Sequence, residues 1–464
     1  MDLPLTIQDT ADALRSGAIT SRELVEIYID RAEVLDEQIG CYIARFDDTA
    51  RAAADVLDAE LQAGKDRGIL HGIPLGVKDI IATDDGPTTA QSLVLPSEWG
   101  DQGDGPVMQR LRGAGAIIMG KVTTMEFACG TPDPDKPFPI PRNPWDLTTT
   151  PGGSSSGTGN GIAAGLFTAG LGTDTGGSVR WPAALCGISG MKQTFGRVPK
   201  AGCVPLGFTY DNIGPMARSA WDCAALLQVM AGADESDMTT STIDVGDYLG
   251  TIEDGVAGMR IGVDRKNTIE QPIVTPDVAA TFEAALAELA DAGAEIIEIE
   301  IPYYQALVDA DIVGFFAEAY SWHRGYLQSK WDDYGRPTRQ SLICGALVSG
   351  GDYVQSQRVR EFGRNLVQDL FGELDLIATP TVVQSAPKVD GLSLTDVFPG
   401  IHTPVFNSTG HPSIAIPCGY DASSMPLSLQ LTGAYFQEAT VFRAAHAYQQ
   451  ATSWHLDIAP MAMI

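Results

Sequence analysis

Hydroxyls and glycines carry the first chemical suggestion in this chain. From Thr148 to Ala184 the string TTTPGGSSSGTGNGIAAGLFTAGLGTDTGGSVRWPAA holds two Gly/Ser clusters around a small apolar segment. A flexible linker is the plainest reading of such a composition. Two short patterns offer chemistry instead. Gly153-Ser154-Ser155-Ser156-Gly157 satisfies GxSxG, which would make Ser155 the nucleophile of an α/β-hydrolase-like esterase with a downstream histidine base. His323, His402, His411 and His446 are available for that, none in a recognisable context. The segment Gly115–Val122, GAIIMGKV, nearly fits the phosphate-binding GxxxxGK[ST]. Val122 has no hydroxyl for Mg²⁺, and Ala116, Ile117, Ile118 and Met119 read as a buried strand.

Behind these patterns lies an alternation of strand and helix signals. Thr20 stands three residues before Glu23, a capping box opening an amphipathic helix with Leu24, Ile27, Tyr28 and Leu35 on one face. GILHGIPLGVKDII is a short apolar run broken by Gly and Pro, and GAIIMGKVTTMEFACG joins a buried strand to a helix start. MRIGVD, AEIIEIEI, LDLIATPTVV and PSIAIPCG read as buried strands, with helices around 276–292 and 438–450. The polar stretch 232–251 reads as a boundary or a long surface loop. In the aromatic segment 312–334, Phe316, Tyr320 and His323 share a helical face, suited to core packing or to a pocket wall. The alternation predicts an α/β fold, a central mixed sheet covered by helices on both faces.

Composition narrows the partners. With 30 basic and 59 acidic residues the net charge is −29, which speaks against nucleic acid and anionic membrane. The seven cysteines are widely spaced and read as reduced core thiols of a cytoplasmic protein. No CxxC or HExxH occurs, so no metal is expected. The N-terminus lacks the basic and apolar regions of a leader, and no apolar run reaches the ~18 residues of a membrane span.

Taken as one unit, GGSSSG followed by GTDTGGSVRWPA resembles the amidase signature family of serine hydrolases. GIPLGVKDII, GAIIMGKVTTMEFA, RNPWD, GMKQTFGRVPKAG, DNIGPMARSAWD and NSTGHPSIAIPCG are similar to that family's blocks, in order, over nearly the whole chain. The resemblance implies one domain over 1–464, with a signature core at 70–225 and a variable substrate-side region at about 232–355. It implies Lys78 as base, Ser154 as a cis-serine relay and Ser178 as nucleophile of an amide, with aryl amides, carbamates and esters in range. Apolar flanks on both sides of Lys78 agree, since burial disfavours the ammonium. Asp79 would oppose that shift if it faced Lys78. The amides of Thr175, Gly176, Gly177 and Ser178 are the implied oxyanion hole. Asp174, Arg180 and Ser155 would hold the loop, and Cys129 and Gly130 would border the acyl pocket. Asn160 departs from the family, which favours a very small residue there. No cofactor is implied, and the expected partner is a small-molecule amide, with a homodimer as one option. One branch of the family forms the amidase subunit of tRNA-dependent glutamine amidotransferases, the alternative to a free-standing amidase.

Overall fold

Short apolar runs bounded by Gly and Pro become strands. A computed structural model describes residues 4–101, 103–393 and 397–463; Met1 to Leu3, part of the stretch read for a leader, lie outside them. The strands among the described residues are β1 (Tyr42–Arg45), β2 (Pro74–Lys78), β3 (Ile117–Val122), β4 (Ala169–Asp174), β5 (Ser189–Lys192), β6 (Asn212–Ala217), β7 (Arg260–Val263), β8 (Glu295–Glu298), β9 (Leu376–Pro380), β10 (Ser413–Tyr420) and β11 (Pro426–Gly433). They form one eleven-stranded sheet in the order β1-β3-β2-β4-β6-β5-β10-β11-β9-β7-β8. Neighbours β3, β2 and β4 run parallel, as do β9, β7 and β8, and antiparallel pairs join these groups. The sheet is therefore mixed, as the alternation predicts, with helices flanking it.

The Thr20 capping box is formed, and Leu24, Tyr28 and Leu35 of the helix Ser21–Ile39 are buried. Helices Pro276–Asp291 and Glu438–Ala451 fall where periodicity places them. The stretch 232–251 is an irregular connection, and the sheet continues beyond it through β7. AEIIEIEI differs from its expectation. Only Glu295–Glu298 is strand, at the sheet edge with Glu295 and Glu298 exposed, because β8 pairs on one side alone.

Helix Ser156–Ala164 runs behind the centre of the sheet and is buried on every face. Its glycines permit that depth. A Cβ on Gly161 would stand 2.3 Å from the Phe167 ring. Asn160 fits by bonding, its Nδ2 donating to the carbonyl oxygens of Ile39 at 2.8 Å and Arg142 at 3.2 Å. The near-phosphate pattern is strand β3, and Lys121 within it pairs with Asp79. Among the described residues no helix is long and apolar enough to cross a membrane.

Candidate active site

Parallel neighbours β2 and β4 end side by side, and their carboxyl ends deliver Lys78 and the turn Asp174 to Ser178 to one place. Lys78 is fully buried. Its Nζ lies 2.7 Å from Ser154 Oγ, 2.8 Å from Thr173 Oγ1 and 3.1 Å from Ser155 Oγ. Burial brings its pKa down to about 7, against the milder upward pull of Cys203, Asp174 and Asp211. Asp79 faces away, accepting from Thr89 and pairing with Lys121 Nζ at 3.2 Å, so it does not neutralise that shift.

Ser155 is locked as an acceptor. Its hydroxyl donates to Thr173 O at 3.2 Å, while Thr173 N donates back to it at 3.1 Å. No histidine reaches it: His323, His402, His411 and His446 bond to Tyr334, Tyr304, Thr409 and Glu253. The GxSxG esterase reading therefore lacks its base. His323 instead packs between Phe127 and Trp322, the core-packing role of the aromatic segment.

Ser154 follows a cis peptide bond from Gly153, and Met125 N donates to its carbonyl at 3.1 Å. Ser178 is partly exposed at the start of the turn into helix Arg180–Cys186, and Ser155 N donates to its carbonyl at 3.2 Å. Gly177 adopts φ +128, and a Cβ there would meet Thr403 Oγ1 at 2.0 Å, so only glycine fits. The four amides expected to hold an oxyanion are not equivalent. Gly177 N donates to Asp174 Oδ1 at 2.9 Å, whereas the amides of Thr175, Gly176 and Ser178 have no partner among the described residues.

Asp174 and Arg180 brace this turn. Both are fully buried and 2.9 Å apart. Burial pushes the Asp174 carboxyl up, but the Arg180 guanidinium and Asn407 amide outweigh it and hold the pKa at about 2. Arg180 also donates to Thr403 O, Gln430 Oε1 and Asn407 Oδ1, and Thr403 Oγ1 donates to Gly176 O at 2.7 Å. Thr173 and Asn407 lie inside blocks that resemble the family but are not singled out there, and nothing in the sequence alone marks Thr403 or Gln430.

Ser154, Gly176, Gly177 and Ser178 line a pocket with about 50 Å³ of room. Cys129 and Gly130 border it, with Met125, Trp181, Phe315, Phe316 and Phe398 completing much of an apolar wall. Among the described residues, no charged side chain lines it. Phe398 is also a wall of two wider hollows of about 600 Å³ and 470 Å³.

Residues 23–442 match the Amidase family model. The chain belongs to the amidase family. Its members act on carbon–nitrogen bonds. A relative from Chloroflexus aurantiacus, named as a subunit of glutamyl-tRNA(Gln) amidotransferase, is 36% identical over 478 residues, 97% of each chain. Among solved structures, a chain from a vestigial protein complex bearing on the origins of an s-triazine catabolic enzyme matches with TM-score 0.89 and 29% identity, covering 97% of this chain and 98% of that one. Native peptide amidase from Stenotrophomonas maltophilia gives TM-score 0.83 and 28% identity, covering 96% of each.

These relatives correct the partner expectation. The Chloroflexus protein is one subunit of an enzyme that is itself named for a tRNA. The expectation of a small-molecule amide as the sole partner, with no nucleic acid, does not stand. Net charge averages over a whole surface and says nothing of a partner held locally or through another subunit.

Proposed function

We propose that this chain cleaves the C–N bond of a carboxylic amide by transferring the acyl group to Ser178. A neutral Lys78 amine has two N–H bonds and one lone pair. Ser155 and Thr173 accept the two N–H bonds, which turns the lone pair towards Ser154. Lys78 takes the Ser154 proton as Ser154 takes that of Ser178, and Ser178 Oγ bonds to the carbonyl carbon. The charge gathering on the carbonyl oxygen meets the amides of Gly176 and Ser178. As the C–N bond breaks, the proton returns through Ser154 to the leaving amine, and water repeats the sequence on the ester to release the acid. The observation that carries this reading is the 2.7 Å contact between a fully buried lysine and Ser154, on the wall of the pocket that holds Ser178.

The pocket best suits an amide with an apolar or aryl acyl group. A zwitterionic substrate would find no counter-charge among the described lining residues. Phe315 and Phe316 come from the stretch 232–355, which we read as the substrate side. The relatives favour a second reading, the amidase subunit of a tRNA-dependent amidotransferase, in which the amide is that of glutamine and the ammonia passes to a partner. Assaying the purified chain alone against aryl amides and glutamine separates the two. Turnover of aryl amides without glutaminase activity supports the free amidase; activity on glutamine that appears only with partner subunits supports the other. In either case Ser178→Ala should abolish a covalent acyl-enzyme detectable by intact mass. An acylated Ser178→Ala protein would refute the assignment.

A further inference from the structure

Asp311 lies on helix Tyr304–Ser329, one turn before Phe315. It is fully buried, and neither carboxyl oxygen has a hydrogen-bond partner among the described residues. Its Oδ2 stands 3.3 Å from where a Cβ of Gly176 would be, with the Phe315 and Phe398 rings 3.8 Å from the same point. The carboxyl is thus pressed against the turn whose Gly176 and Ser178, with unpartnered amides, line the pocket.

Its charged neighbours do not satisfy it. Arg360, on helix Gly350–Leu370, sits over the Tyr210 ring and donates to Ser408 O and Thr209 O. Arg180 is occupied by Asp174 and Asn407, and Lys192 of β5 donates to Gln193 O. The Tyr210 hydroxyl donates to Ala310 O. Asp174 adds a like charge. Burial accordingly pushes the Asp311 carboxyl well above the usual range, with Asp174 in the same direction and Arg360, Arg180 and Lys192 opposing. A buried carboxylate without partners is costly, so the group holds its proton.

We propose that Asp311 is a positioning residue that supports catalysis only as the neutral acid: protonated, it fills the space behind Gly176 without charge; ionised, it sets a negative charge behind the turn that must receive the substrate's oxyanion. The proposal rests on Ser178 being the nucleophile. Two like charges about 8 Å apart at an effective dielectric of about 20 correspond to a rate lower by about 30-fold. The kcat/KM profile should then rise as Lys78 loses its proton and fall again on the alkaline side.

The test compares wild type with Asp311→Asn from about pH 5 to about pH 10 on one aryl amide. In wild type the maximal kcat/KM should exceed the alkaline value by about 30-fold, and in Asp311→Asn that ratio should collapse towards about 1 while the ascending limb stays. An identical descending limb in the variant, or none in wild type, would overturn the proposal. Urea unfolding of the full chain supplies a readout independent of turnover. A carboxyl whose folded pKa lies above its unfolded value contributes stability at acid pH that is lost as pH rises past the unfolded value. Asp311→Asn should remove that loss, so its stability should fall less steeply than wild type's between about pH 4 and about pH 7, below the range in which Lys78 and Lys192 titrate. Equal slopes would overturn the neutral-acid assignment. Should wild type cleave no amide, the functional reading falls and the unfolding slopes alone decide the charge state. If Asp311→Asn does not fold, Asp311→Ala is held to the same two criteria.

Discussion

Replacing Thr173 by valine keeps the shape of a buried β4 side chain and removes one acceptor from Lys78 Nζ, 2.8 Å away. The ammonium loses more than the neutral amine does, because hydrogen bonds to a charged group contribute about 1.5–3 kcal/mol and neutral ones about 0.5–1.5. The difference, about 1–1.5 kcal/mol, is close to one pKa unit. A lysine already brought down to about 7 by burial should therefore ionise near 6, roughly one unit lower. The ascending limb of kcat/KM should move to lower pH by that amount. Its plateau should fall by about 10- to 100-fold, since one N–H bond is no longer held and the lone pair no longer points steadily at Ser154. The measurement is a pH series with a chromogenic anilide, on protein whose melting temperature shows it is folded. A limb displaced upwards, or unmoved with a full plateau, would refute the claim that Thr173 orients the base.

Other perturbations follow from the same geometry. Lys78 and Lys192 are both brought down to about 7, so the unfolded chain binds more protons than the folded one between about 7 and about 10.4, and stability should climb with pH through that window. Lys78→Met should lower this slope by up to about 1.4 kcal/mol per pH unit in urea titrations, and an unchanged slope would mean that Lys78 is charged in the fold. Arg180→Met leaves the Asp174 carboxylate buried without its partner and should cost about 3–5 kcal/mol by urea unfolding, together with a fall in kcat as the nucleophile turn loosens. Phe398→Ala merges the narrow pocket with its two neighbours, so kcat/KM for a bulky aryl amide should rise against that for acetamide by about tenfold; a fall for both would make Phe398 a support and not a barrier.

Much of the scaffold is legible because the short apolar runs of β2, β3 and β10 are bounded by Gly and Pro, and Thr20 with Glu23 announces its helix. The edge position of β8 is not, since EIIE carries the same β-branched signal whether one side is paired or two. Lys78, Ser154 and Ser178 stand out through ordered blocks that resemble a family. Thr173 lies inside the same Gly/Ser string, its hydroxyl on the strand that ends at Asp174, but register against β2 is needed to see that it meets Lys78. Asp311, Thr403 and Gln430 lie more than a hundred residues from Ser178 in sequence, and nothing in their neighbourhoods marks them. In sequence Gly177 groups with its neighbours as a donor, because the Asp174 carboxyl that takes its amide is a contact of side chain with backbone, invisible in composition.

The brace on the nucleophile turn sets an order of events during synthesis. Ser178 and Lys78 emerge early, yet Thr403, Asn407 and Gln430, which hold Arg180 and Gly176, follow 223 to 250 positions after Arg180. At about 5–20 residues per second a ribosome needs roughly 10–50 s to add them. Throughout that interval the turn has its serine but not its clamp, and a nascent chain should stay unreactive towards an acylating probe until its C-terminal hairpin, β10 and β11, has taken its place in the sheet between β5 and β9.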